Sequence, residues 1–296
     1  MRPIKLLNIK IDYVFKRIFG REGNEQITKN FLSCILGEKV SDIELEKNPI
    51  LEKDLMDDKV GILDIKAEIN KNTNVDIEMQ IIDKKNSAKR ILFYCSKLFI
   101  KSLKSGKDYN SLKKTISILI ADYELDELKE VRKYITKWNI REEDCSKIIL
   151  TDAMEIYIIE IEKFKKYQGT ERYKELDSWI KFIENPEVVD MSNKEIVMAK
   201  KVLDEISQDE HERYLAEMRE KYILDQNATE AAGYDKGLKE GHKKGIEEGI
   251  KQGHEKGVEE GKKEIAKKML EEKLDLGLIE KVTNISKEEL KKMQEK

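Results

Sequence analysis

Two neighbouring stretches of the chain alternate apolar and polar residues with period two. In the first, Leu63, Ile65, Ala67 and Ile69 fall on one face, against Asp64, Lys66 and Glu68. In the second, Val75, Ile77, Met79 and Ile81 oppose Asp76, Glu78 and Gln80. This is the period of half-buried strands, spanning 61–69 and 75–82. The polar run from Asn70 to Asn74 makes the connection between them. Aligning the apolar faces pairs even-numbered residues with even-numbered ones, so Asp64 lies across from Glu78 or Gln80.

Elsewhere the pattern predicts mixed elements. Asp12 to Phe19 is a helix with Val14, Phe15, Ile18 and Phe19 as its stripe, stopped by Gly20. Asn24 caps a second helix through Ile35, ended by Gly37. Val40 to Leu51 has strand character. Asn86 or Ser87 caps a helix through about Lys104. On its wheel Lys89, Arg90, Lys97, Lys101 and Lys104 share one face. Ile91, Leu92, Cys95, Leu98, Phe99 and Leu103 fill the opposite, buried arc. Thr115 to Ala121 is a short, buried strand, Leu125 to Trp138 is a loop or helix, and Ala153 to Phe164 is a further strand. Helices follow at 171–184, 193–206 and 210–232.

From Gly233 to Gly261 a glycine falls at every fourth position, eight of the fifteen in the chain. Four residues overshoot a helical turn, so the stripe drifts by about 40° per repeat. Small residues at this spacing let two helices approach closely. Each glycine costs a helix roughly 1 kcal/mol relative to alanine, so the eight together cost on the order of 8 kcal/mol. A lone helix is therefore disfavoured, and self-association into a homo-oligomer or partial disorder is expected. The organisation read from these patterns is 1–165, 166–232 and 233–296.

Composition narrows the function classes. Of 296 residues, 40% are charged and 39% hydrophobic, and the net charge is −3. No apolar run reaches the length of a membrane span, and the first ten residues lack a secretory core, so no membrane association is expected. Cys34, Cys95 and Cys145 are widely spaced and match no zinc or redox pattern; three buried thiols in a reducing cytoplasm are expected. Charge is unevenly spread: residues 1–120 balance at +6 and the remainder at −9. Lys84 to Lys114 holds ten bases and the single acid Asp108, as a localised phosphate-binding surface requires. The only histidines, His211, His242 and His254, lie in the C-terminal third. Chemistry in the N-terminal part must therefore run on carboxylates, lysine and metal.

The alternating hairpin offers that chemistry. Carboxylates held close on rigid strands repel unless a cation lies between them. Such hard oxygens suit Mg²⁺, which takes one or two carboxylates plus water and phosphate. The plainer reading is a solvated hairpin face with chance acids, just as a basic helix face is commonly only a wet surface.

Ordered motifs favour the first reading. Asp12-x-x-Phe15-Lys16-x-x-Phe19-Gly20, Asp58-Lys59 with Ile62-Leu63-Asp64, Ile77-Glu78-Met79-Gln80, Arg90-x-x-x-Tyr94, Gly106-x-x-Tyr109 and the glycine tail occur in sequence. Together they resemble the PD-(D/E)XK nuclease family transposases, the Rpn family of recombination-promoting nucleases. The resemblance implies an α/β (α+β) restriction-endonuclease-like core, a mixed sheet flanked by helices, with a helical C-terminal region. It implies a metal-dependent DNA endonuclease acting in recombination, with Asp64 and Glu78 holding Mg²⁺, or Mn²⁺ as a substitute. Gln80 stands where many relatives carry lysine; a neutral amide orients water but cannot neutralise charge. Lys66 either supplies the missing charge or pairs with Glu68 or Glu78. Asp76 is an outer ligand or a solvated acid, the latter being expected. Lys89, Arg90, Lys97, Lys101 and Lys104 are expected to grip the DNA backbone, Arg90 having the alternative of anchoring its helix. The rival readings are a DNA-binding protein that cuts poorly and a scaffold self-associating through the tail.

Overall fold

The computed structural model describes residues 5–47, 64–83, 85–103, 108–167 and 173–294. The Asp58-Lys59 and Ile62-Leu63 motif positions, Gly106 and Lys104 lie outside these residues, as does the end of the strand expected over 40–51. Two compact units are present, Met1–Asn227 and Ala228–Lys296.

In the first unit, α1 (Asp12–Phe19) ends at Gly20 and α2 (Glu25–Leu36) at Gly37, as their stop signals require. Gly37 takes a left-handed φ of 69°, which glycine adopts without a Cβ penalty. Three antiparallel strands follow: β1 (Ile43–Leu45), β2 (Ile65–Ile69) and β3 (Thr73–Gln80). The β2–β3 hairpin is tighter than its polar connection suggested. Ile69 pairs with Thr73, and Asn70 and Lys71 both take positive φ, as twist-matched hairpin turns need. Next come α3 (Ser87–Lys101), β4 (Lys114–Ala121), β5 (Ile135–Arg141) and β6 (Ile149–Glu160).

The sheet order is β1-β2-β3-β4-β6-β5, with β3, β4 and β6 mutually parallel in the middle. The nearly continuous apolar run of β4 explains its central, doubly covered place. Two expectations needed correction. The segment 125–138, read as loop or helix, contributes only a short helical turn at Asp126–Leu128 and then the start of edge strand β5. The strand expected over 153–164 ends at Glu160 and turns into α4 (Ile161–Lys166).

One sheet face supports the main core. Val75, Ile77, Ile116, Ile118, Tyr157 and Ile159 pack with α1, α2, α5 (Lys174–Glu184) and α6 (Lys194–Gln208). Phe15, Phe19, Phe31 and Trp179 stack there, adjacent ring centroids lying 4.5 to 5.5 Å apart, the separation at which aromatic pairs attract beyond simple burial. The opposite face changes character across its width. Beneath α3 it is polar on β2 and β3, and towards β6 it becomes the small apolar cluster of Ile91, Leu119, Ala121, Leu125, Leu128 and Ile158.

Helix α7 (Glu210–Glu271) starts in this unit. Arg219, 5% exposed, clamps Asp12 with Nη2 2.7 Å from Oδ2. Tyr13 Oη and Arg17 Nε donate to Glu212 at 2.7 and 2.8 Å. In the second unit α7 runs through the glycine repeat, and beyond the helix's own adjacent backbone no atom lies within 4 Å of where a Cβ would stand on the glycines from Gly233 to Gly261. Its last turns join α8 (Leu276–Thr283) and α9 (Lys287–Gln294) around Ala266, Leu270, Ile279, Ile285 and Leu290. Asp275 caps α8 through the N–H groups of Gly277 and Leu278, and a left-handed Asn284 separates it from α9. Among the described residues no helix is long and apolar enough to cross a membrane. Cys34 and Cys95 are buried; Cys145, expected inside, is exposed at the β5–β6 connection.

Candidate active site

The hairpin register pairs Ile65 with Ile77, Lys66 with Asp76 and Ala67 with Val75. Even residues meet even residues, and one step further along the same register sets Asp64 against Glu78 rather than Gln80. Because α3 covers this face, its acids are withdrawn from water. Asp76, expected as a solvated acid, is only 6% exposed, and its Oδ1 is buried with no hydrogen-bond partner. The correction has a simple cause: period two places a residue on the polar face but does not tell whether a helix lies over that face.

Crowding and burial raise the proton affinity of these acids. Asp64 is held well above the ordinary carboxylate range, first by burial and then by repulsion from Asp76 and Glu78, with Lys66 and Arg90 opposing. Burial pushes Asp76 up to about 7, against the attraction of Lys66. Three carboxylates thus face two cations across a few side chains. This imbalance, together with an orphaned carboxylate oxygen, fits the donor chemistry of a divalent cation. Among the described residues no group of three or more His, Cys, Asp or Glu side chains is placed to hold a metal. A site here would rest on one or two carboxylates completed by water and phosphate, the habit of Mg²⁺.

Glu78 is held from two sides. Arg90 Nη2 donates to its Oε1 at 2.7 Å, and Gln80 Nε2 donates to the same oxygen at 2.5 Å. Arg90 therefore points into the site from the first turn of α3, and its guanidinium also lies over the Tyr94 ring, 5.5 Å from the centroid. Gln80 is 9% exposed, and its carbonyl accepts from Tyr123 Oη at 2.7 Å. Tyr123 in turn shares a 2.9 Å hydrogen bond with Ser87 at the start of α3. Burial pushes the Tyr123 phenol up to about 12, so it stays protonated and can donate to Gln80. The Gln80 amide is thereby engaged by protein groups on both ends. Nothing in the sequence linked Tyr123 or Ser87 to Gln80, since the segment after β4 and the start of α3 come together only in the fold.

Asp64 and Lys66 share a small hollow with Glu46, Gly20 and the buried Lys16 of α1. Lys16, Gly20, Glu46 and Lys66 also line a cleft of about 1110 Å³ bounded by Arg17, Arg21, Glu68, Asn74 and Leu98. The cleft therefore adjoins the hollow that contains Asp64. Of the basic residues on α3, Lys89, Lys97 and Lys101 are exposed. Lys101 lies 3.9 Å from Glu46 in an ion pair open to solvent. Leu92, expected in the buried arc, is 53% exposed.

A model of the PD-(D/E)XK nuclease family transposases matches residues 9–232, about three quarters of the chain. The chain belongs to that family. Its six-stranded mixed sheet with flanking helices is the α/β core expected of such a nuclease. A second model, the Rpn/YhgA-like nuclease family C-terminal HTH domain, matches residues 259–295. That stretch contains the end of α7, α8 and α9, a helical module that the glycine repeat overshadowed in the sequence. Its signals were present: the Asp275 cap, the break at Asn284 and the apolar series Leu270, Ile279, Ile285, Leu290. No curated protein and no solved structure matches the chain.

Proposed function

We propose that this family member is a Mg²⁺-dependent DNA endonuclease acting in recombination, with Mn²⁺ as a substitute metal. The buried carboxylate cluster of Asp64, Asp76 and Glu78 carries the reading. Asp64 and Glu78 would hold the cation. Once bound, it supplies Lewis acidity towards the scissile phosphate and acidifies its water. Arg90 and Gln80 keep Glu78 in one orientation by fixing Oε1. Lys66, opposite Asp76, is the cation nearest in register to the acids and takes the charge-balancing role that Gln80 cannot fill. Asp76, opposite Lys66, would add a further carboxylate close to the two that would hold the cation. Lys89, Lys97 and Lys101 contact the backbone, which positions DNA without reading its sequence. The three unpaired cysteines, one of them exposed, suit a reducing cytoplasm.

Incubating supercoiled plasmid with Mg²⁺ and either wild type or Asp64→Ala tests this reading. Nicked and linear products from wild type alone, with matched circular dichroism, support it; equal cleavage by the variant overturns the site.

A second reading, a binder that cuts poorly, is favoured by one observation: the Gln80 amide is already engaged by Glu78 and Tyr123. Binding that disappears above roughly 0.2 M salt, with no product at any metal concentration, would support it. The unpartnered glycine repeat of α7 is assigned to self-association. Comparing the mass in solution of the full chain with one ending at Ala232 tests that assignment.

A further inference from the structure

Helix α3 presents an outer surface that the carboxylate site does not use. Its fifteen residues include four bases and no acid. Relative to Arg90, which reaches down to Glu78, a rotation of about 100° per residue sets Lys97 and Lys101 in one row along the helix. Phe93 and Ile100 form the adjoining row, and Lys89 borders the far side. Phe93 is 61% and Ile100 68% exposed. Lone exposed apolar residues are ordinary, but an aromatic ring and an isoleucine about two helical turns apart between lysines form a band of defined chemistry.

The band is continuous with the site. The Phe93 ring meets the Tyr94 ring edge-on at 5.3 Å, Tyr94 carries the Arg90 guanidinium, and Arg90 holds Glu78. A polymer lying along the band would therefore run over the outer face of the helix whose Arg90 holds Glu78. Its chemistry must combine flat apolar groups for Phe93 with regularly spaced negative charge for the lysines. Duplex DNA offers the charge but keeps its bases stacked inside. An unpaired strand offers both, because each base has a free face and each linkage a phosphate.

We propose that the Phe93–Ile100 band of α3, flanked by Lys89, Lys97 and Lys101, binds an unpaired DNA strand next to the scissile position. The substrate class is therefore DNA with a single-stranded segment, such as a flap, gap or opened end, in preference to continuous duplex. The inference rests on the nuclease reading for what happens to the strand, not for the binding itself.

Fluorescence anisotropy tests it with the full chain in EDTA, where metal-dependent cleavage is silent. The probes are a labelled oligo(dT) and a labelled duplex of equal length. Wild type should bind the single strand more tightly. Phe93→Ala should weaken single-strand binding by about tenfold and leave duplex binding unchanged, the usual scale for losing one stacked base. Phe93→Trp should restore it, and Lys97→Ala should weaken both probes. Unchanged oligo(dT) binding by Phe93→Ala overturns the proposal, as does equal loss with both probes. Absence of binding to either probe also overturns it, and would direct the band to an acidic, apolar protein segment. Because no metal is present, a negative result here leaves plasmid cleavage by wild type as a separate test of the nuclease reading.

Discussion

Replacing Asp76 by Asn removes one charge from a buried site that already holds Asp64 and Glu78. In the metal-free protein the effect depends on pH with a definite sign. Burial raises the Asp76 proton affinity from the ordinary 3.8 to about 7, so between these values the folded state holds a proton that the unfolded chain releases. Stability is therefore greatest below the unfolded value and falls as pH rises through 7. At roughly 1.4 kcal/mol per pH unit, the ionised carboxylate costs the folded state about 4 kcal/mol at pH 8. Asp76→Asn should recover most of that at pH 8 and under about 2 kcal/mol at pH 5. Urea unfolding in EDTA, followed by tryptophan fluorescence, gives both values, because Trp179 is fully buried and Trp138 half exposed. Added Mg²⁺ should stabilise wild type at pH 8 and stabilise the variant less. An Asn variant that loses the same stability at both pH values would refute the reasoning, since the carboxylate would then be a structural group rather than an uncompensated charge.

Three further outcomes are expected. Gln80→Met removes a donor to Glu78 and an acceptor for Tyr123; losing such an outer-shell partner should raise the Mg²⁺ needed for half-maximal plasmid cleavage by about tenfold. Arg219→Ala leaves the half-buried Asp12 without its clamp and should cost about 3 kcal/mol in urea unfolding. Lys163→Ala leaves Glu160, itself fully buried, without the ammonium 2.9 Å away; it should lower stability by about 3 to 5 kcal/mol at neutral pH and by less at low pH, where Glu160 is protonated.

The hairpin was legible because two constraints agreed: period two separated its faces, and the apolar faces had to coincide, which fixes the parity of pairing from sequence alone. Helices α1 and α2 were legible for a similar reason, each having an apolar stripe and a glycine stop. Strand β5 was not. Ile135 to Arg141 lies at the sheet edge with four of its seven residues exposed, so its alternation is weak and a neighbouring strand, not its own pattern, holds it extended. Leu92 shows a complementary limit. A helical wheel finds the apolar arc, yet the width of that arc in contact depends on the partner surface, and of the apolar arc Ile91 and Cys95 are the side chains that become buried. At the site, the residue types of Asp64, Glu78 and Gln80 could be read directly. The burial of Asp76 and the Tyr123–Ser87 link to Gln80 could not, because each depends on where α3 lies on the sheet. The C-terminal helical module was hidden by a repeat whose regularity drew attention from the few apolar positions beyond it.

Single-turnover cleavage of supercoiled plasmid, measured against free Mg²⁺ for wild type, Asp64→Ala and Glu78→Gln, tests the role of the hairpin carboxylates most directly. The wild-type rate should rise with Mg²⁺ and saturate, while both variants, folded as judged by circular dichroism, should show no Mg²⁺-dependent rate. Variants that cleave with the wild-type rate and the wild-type Mg²⁺ dependence would contradict the account.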